Sequence, residues 1–278
     1  MTLVWRPDYN GTPGKVTLAQ EFTWNESVWN PSMVGPSLWL DAADASTITE
    51  VGGAVSQWND KSGNSRHAVQ ATVANQPVYT ASSVINSKPA IDFTTDRVTT
   101  LTTPTIPNNS IVGSLPISVF GVFYNRLSDS NFQSPIGARS GGGTWWTFMR
   151  PISGQMEIGF HDASQRWSGV YSTNQSALIS WSVDSSNLLN TYLDGSLIQT
   201  AFSLNSFGTQ IDSSMRIGAG SSSSLSEDYE GLIGEIVFLT SEISTADRQK
   251  LEGYLAHKWG LTANLPNDHP YKLVGPTP

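Results

Sequence analysis

The chain has 278 residues and no cysteine, which excludes disulfides, thiolate nucleophiles, cysteine-ligated zinc and iron–sulfur clusters. Charged residues make up only 14%, against about 25% in an ordinary soluble domain. Lys+Arg 15 against Asp+Glu 23 leave a net charge of −8, which argues against a nucleic-acid partner.

The length suits one large all-β unit with a real core, and no window approaches the ~18 consecutive apolar residues of a membrane span. Residues 1–35 carry Pro7, Gly11, Pro13, Gly14, Pro31 and Gly35 together with Trp5, Trp24 and Trp29. A stretch this rich in turn formers cannot bury its own aromatics well. It either wraps over its own domain or forms an arm whose tryptophans dock on another chain, where aromatics are favoured anchors. The expected division is an anchoring arm over 1–35 and a single domain over 36–278. The first ten residues lack a basic segment followed by an apolar run, so no secretory signal is expected.

From Leu38 the pattern becomes regular. Leu38 to Asp41 reads as a short strand. Ile117 to Phe123 and Leu178 to Val183 are strongly β-prone. Thr191 to Ile198 reads as a hairpin, two β-prone runs joined by Asp194-Gly195, the pair that fits a type I′ turn. Met215 to Gly218 and Leu232 to Leu239 add two more strands. Short strands separated by recurring turn signals point to an antiparallel sandwich. The spacing predicts one helix, from Ser244 to Trp259, with Leu251, Tyr254, Leu255 and Trp259 on one face. Ser244 serves as N-cap, Asp247 stands in the first turn, and Gly260 takes the stop position. This helix is expected to cover a sheet edge or one end of the sandwich. Lys258, about 100° round the helix from Trp259, is expected to face solvent. His257 reads as a packing or capping residue near the helix end, and His269, between Asp268 and Pro270, reads as a turn.

Several segments carry a resemblance to a known family. They are residues 38–44 (Leu-Trp-Leu-Asp-Ala-Ala-Asp), 58–64 (Trp-Asn-Asp-Lys-Ser-Gly-Asn), 76–79, 89–93, 192–195, 231–238 and the closing run 252–261, followed by Leu265, Pro266 and His269 to Tyr271. Together they span roughly residues 36–272, and the chain resembles the concanavalin A-like lectin/glucanase superfamily in its laminin-G-like form, as found in tailed-phage virion proteins. The resemblance implies an all-β, two-sheet antiparallel jelly-roll sandwich with an extended N-terminal arm and one short C-terminal helix. That fold hosts lectins, glycosidases, adhesion modules and virion parts, so it does not fix a function.

Glucanases of the superfamily resemble one another in a Glu-x-Asp-x-Glu strand, which sets nucleophile and acid/base about 5 Å apart on one face. No Glu here is followed two residues later by Asp. The run from Glu227 to Glu230 has the wrong register, and its carboxylates read as solvated. Glu235 lies in a strand with no second carboxylate near it in sequence. There is no Gly-x-Ser-x-Gly elbow and no His-Glu-x-x-His. Catalysis is therefore not expected. Asp41, Asp44 and Asp60 are weak calcium candidates from loops that could converge; their spacing suits Asx turns better. For glycans, residues 141–146 offer Trp145 and Trp146, and residues 161–167 offer His161, Asp162, Arg166 and Trp167. These are aromatic faces beside polar groups. If 145–146 is a strand, one tryptophan faces the core and the other faces out.

The resulting expectation is a non-enzymatic virion-surface protein of a tailed phage, a capsid decoration or tail-associated adhesin. Trp5, Trp24 and Trp29 would anchor it to other virion proteins, host-surface glycans would be its outward partner, and a homo-oligomer is allowed. The alternatives are a polysaccharide-active hydrolase or lyase of this fold and a bacterial carbohydrate-binding module. No cofactor is expected apart from the calcium option.

Overall fold

Alternating apolar side chains and short turns produce seventeen strands among the described residues, every named pairing antiparallel. The structure is a computed structural model. It describes residues 29–93, 99–107, 116–126, 133–139, 145–148, 155–160, 163–168, 173–203, 213–220 and 228–278. The early strands are β1 (Leu38–Asp41), β2 (Ile48–Val51), β3 (Ala54–Trp58), β4 (Ala68–Val69), β5 (Val78–Thr80), β6 (Ala90–Phe93), β7 (Leu101–Ile106) and β8 (Ile117–Asn125). Then come β9 (Ile136–Arg139), β10 (Trp145–Phe148), β11 (Gln155–Phe160), β12 (Ala163–Ser168), β13 (Ser176–Val183), β14 (Leu188–Leu193), β15 (Ser196–Ser203), β16 (Ser213–Ile217) and β17 (Gly231–Leu239). One α-helix, α1 (Thr245–Trp259), follows.

One layer runs β1-β17-β8-β13-β14-β15. The other runs β4-β7-β16-β9-β10-β11-β12. The short strands β2, β3, β5 and β6 join them along one side. The main core lies between the layers and takes Leu38, Leu40, Trp58, Ile136, Ile158, Ile179, Trp181, Ile217, Ile236 and Phe238. This is the expected all-β sandwich.

The first layer is covered on both faces. In β13, Ile179 and Trp181 enter the main core while Leu178 enters a second one. In β17, Ile236 and Phe238 point one way, Val237 and Leu239 the other. All nine residues of β17 are buried for this reason, which is the pattern of a strand packed on two sides. The second core is closed by Leu251, Leu255, Ala256 and Trp259 of α1. Helix α1 therefore lies across the outer face of the central strands, not on an edge or an end as expected. Gly234, at a register shift between β17 and β8, makes room for it: a Cβ there would come within 2.8 Å of the Trp259 ring.

The local signals hold. Ser244 Oγ accepts from the Asp247 amide at 3.1 Å, and Gly260 takes φ 70° at the helix end. Asp194 and Gly195 take φ 48° and 77°, the two positive values that a type I′ turn requires. Other expectations need correction. Trp29 is only 2% exposed and packs against Tyr254, with ring centroids 6.0 Å apart. It anchors its own domain. A 3₁₀ turn at Pro31–Val34, capped by Asn30, returns this segment to the sheet, so the packed unit already includes residues before position 36. Trp5 and Trp24 lie outside the described residues. Asp228 and Glu230 are each 5% exposed rather than solvated.

Candidate functional site

Two buried carboxylates organise the space between α1 and the sheet. Glu235, on β17, is 0% exposed. Its Oε1 accepts from Trp39 Nε1 at 2.7 Å and from the Tyr254 hydroxyl at 3.1 Å; its Oε2 accepts from Trp259 Nε1 and Lys258 Nζ, both at 2.7 Å. Burial pushes the Glu235 carboxyl up, and Lys258 opposes that shift. The same burial, with the neighbouring negative charge, pushes the Tyr254 phenol far above its usual value. Lys258 continues the chain of charges to Asp41 Oδ1 at 2.6 Å. Lys61 then bridges Asp41 and Asp44 at 2.9 and 2.7 Å. Lys258 is thus an internal partner, not the solvent-facing residue that helical spacing suggested.

Glu252 of α1, also 0% exposed, holds the other end. Its oxygens accept from Arg248 Nη1 at 2.7 and 2.6 Å and from Ser180 Oγ at 3.1 Å, with His269 Nε2 at 3.3 Å. His269 is consequently a buried partner of Glu252, 7% exposed, as well as a turn residue. The Arg248 guanidinium stacks 3.9 Å over the Tyr192 ring. Beside this pair opens a cleft of about 150 Å³ between the start of α1 and the outer face of β13 and β14. Ser182, Asp184, Asn190, Tyr192, Glu242 and Thr245 line it together with Arg248. Asp184 is fixed by accepting from the Ser186 and Leu188 amides at 2.8 and 2.9 Å. Burial pushes the Tyr192 phenol up despite the nearby Arg248, so it remains a hydroxyl donor at neutral pH.

The residues singled out from sequence are distributed differently. Trp146 stands opposite Ala138 and Phe160, and Trp167 opposite Met156. These positions alternate in step with Ala138 and Ile158, which lie in the main core. Trp145, opposite Arg139, and Arg166, opposite Glu157, occupy the other set of positions. His161 and Asp162 fall outside the described residues. The calcium candidates do not converge as a cation site. Asp41 and Asp44 share the Lys61 ammonium, which holds the Asp44 carboxyl below its usual value. Asp60 accepts from the amides of Trp39, Ser62 and Arg66. All three also accept from an amide two residues on, at Ala43, Ser46 and Ser62, which is the Asx-turn role read from sequence.

Sequence reasoning missed the cleft. Arg248 and Glu252 stand four apart on the predicted helix, so their pairing was available. Nothing local announces that Arg248 meets Tyr192, of a hairpin more than fifty residues earlier.

No protein-family model matches the chain, and no curated protein sequence matches it. Solved structures do. The chain is similar to Trypanosoma rangeli sialidase in complex with sialic acid, with TM-score 0.55 and 12% identity, over 81% of this chain and 33% of that one. It is similar to the botulinum neurotoxin serotype D binding domain, with TM-score 0.55 and 14% identity, over 80% of this chain and 52% of that one. It is also similar to domain 4 of AbnA, a GH43 extracellular arabinanase from Geobacillus stearothermophilus, in complex with arabinotriose. There the TM-score is 0.52 at 11% identity, over 78% of this chain and 98% of that one. The fold is a lectin-like β-sandwich. The chain spans about a third of the sialidase and about half of the neurotoxin binding domain, but nearly all of the arabinanase domain.

Proposed function

We propose that this chain is a non-catalytic carbohydrate-binding module. The likeness to the arabinotriose-bound domain carries the reading, because it covers 98% of that chain. A sandwich of this size and layout matches the whole of that arabinotriose-bound domain. The chemistry of the buried carboxylates supports binding over hydrolysis. Retaining hydrolysis needs two carboxyl groups about 5 Å apart flanking an accessible bond. Glu235 and Glu252 are sealed from solvent, and each is matched by a cation, Lys258 in one case and Arg248 in the other. The virion setting expected from sequence draws no support from these neighbours, whereas glycan contact does.

The test is a binding screen of the full chain. Arabino-, xylo-, gluco-, galacto- and sialyl-oligosaccharides would be titrated by calorimetry, with a reducing-end assay in parallel. Saturable binding without reducing-end release is expected. Binding to none of the panel would overturn the reading. So would release that disappears in Glu235→Gln.

A further inference from the structure

Helix α1 and the β13–β14 ladder enclose a polar cleft that the expected glycan candidates do not include. We propose that this cleft is the sugar site and that it takes one neutral, polyhydroxylated ring, the end unit of a glycan, in preference to a sialic or uronic acid. The proposal rests on the carbohydrate-binding reading and adds the place and the class of sugar.

Size comes first. The cleft holds about 150 Å³, half of the ~300 Å³ at which ordinary ligand pockets begin. That is room for a single ring, not for an oligosaccharide lying along a groove. The lining supplies what a ring with several hydroxyls needs. Tyr192 contributes a phenol, Asn190 an amide side chain, and Asp184 and Glu242 carboxylate acceptors. Two side chains of the lining are already held in place. Asp184 is fixed by two backbone amides, and Arg248 is fixed by Glu252 below and the Tyr192 ring beside it. A wall ordered before the ligand arrives costs less on binding than one that must be ordered by it.

Charge decides the class of sugar. Among the described residues of the lining the one cation is Arg248, which is answered by both oxygens of the fully buried Glu252. Asp184 and Glu242 are the other charged residues of that lining. A sugar carboxylate would meet two like charges and an arginine already neutralised, on a chain of net charge −8. Neutral hydroxyls meet acceptors instead, and hydrogen bonds to a charged partner are the stronger kind.

The experiment uses the full chain and three variants, Asn190→Ala, Glu242→Gln and Trp145→Ala, each checked for an unchanged far-ultraviolet spectrum. Each is titrated with arabinotriose and a galactose-terminated trisaccharide as neutral probes, and with sialyllactose and trigalacturonate as acidic probes. A neutral probe should bind wild type, lose about tenfold or more in affinity with Asn190→Ala and with Glu242→Gln, and be unaffected by Trp145→Ala. Neutral binding that survives both cleft variants but falls with Trp145→Ala would move the site to the β10–β12 ribbon. That would overturn this inference and leave the carbohydrate-binding reading standing. Tighter binding of an acidic probe would overturn the choice of sugar. Absence of binding by wild type to every probe would remove the functional reading and this inference with it.

Discussion

Single residues gain their weight here from what surrounds them. Lys258 is half-buried, and its ammonium is the charge partner of a glutamate with no access to water. Removing one partner of a buried pair costs about 3–5 kcal/mol when the other is left charged. Lys258→Ala should therefore lower the melting temperature by several degrees. In a Glu235→Gln background, where that buried charge is absent, the same substitution should cost less. A thermal double-mutant cycle measures this directly, and additive losses would show the pair to be uncoupled. Asp194 makes a second residue-level prediction. Burial pushes its carboxyl up to about 6, against the amide bond it accepts from Leu178. Between about pH 4 and pH 6 the folded chain keeps a proton that the unfolded chain has released. Stability then falls as pH rises through that window. Asp194→Asn keeps a side chain suited to the left-handed turn position and cannot ionise. It should match wild type near pH 4 and exceed it at pH 7 by on the order of 2 kcal/mol. Denaturant melts at the two pH values check this, and equal pH profiles would refute it.

Among elements, α1 is the one most fully legible beforehand and the one most misplaced. Its start, stop and apolar face follow from Ser244, Gly260 and the spacing of Leu251, Leu255 and Trp259, and the structure has them all. Its location does not follow. An amphipathic helix needs an apolar surface, and the outer face of β8, β13 and β17 offers one only because those strands carry apolar residues at both alternating sets of positions. Trp259 joins the two by filling the space beside Gly234 and donating its indole N–H to Glu235 at 2.7 Å. Trp259→Ala should cost about 3–5 kcal/mol or give insoluble protein. Trp259→Phe should lose less, since it keeps much of the apolar bulk and forfeits the hydrogen bond. Similar small losses in both, read from calorimetric melts, would mean that the helix is not held by this contact.

For the molecule as a whole, the boundary of the folded unit is a sharp test. Trp29 belongs to the second core and Asn30 caps the turn that follows it. Deleting residues 1–35 removes a tryptophan that is 2% exposed and the Asn30 cap, and should lower the melting temperature well below that of a chain lacking only residues 1–28. Circular dichroism of the two truncations decides between them, and equal effects would place the boundary elsewhere. The amino-acid sequence by itself determined what depends on neighbours along the chain: β1, β8, β13 and β17 from runs of apolar and β-branched residues, the Asp194-Gly195 turn from its required dihedral angles, the Asx turns at Asp41, Asp44 and Asp60, and both ends of α1. Tertiary structure alone decided what depends on distant pairs. It placed α1 on the sheet's outer face, turned Trp29 inward, drew Lys258 to Glu235 and Asp41, and set Arg248 against Tyr192 beside the cleft. The physical reason is range. Turn and capping geometry are satisfied within a few residues, whereas desolvation and ion pairing respond to whichever groups the fold brings within a few ångströms, however far apart they lie in sequence.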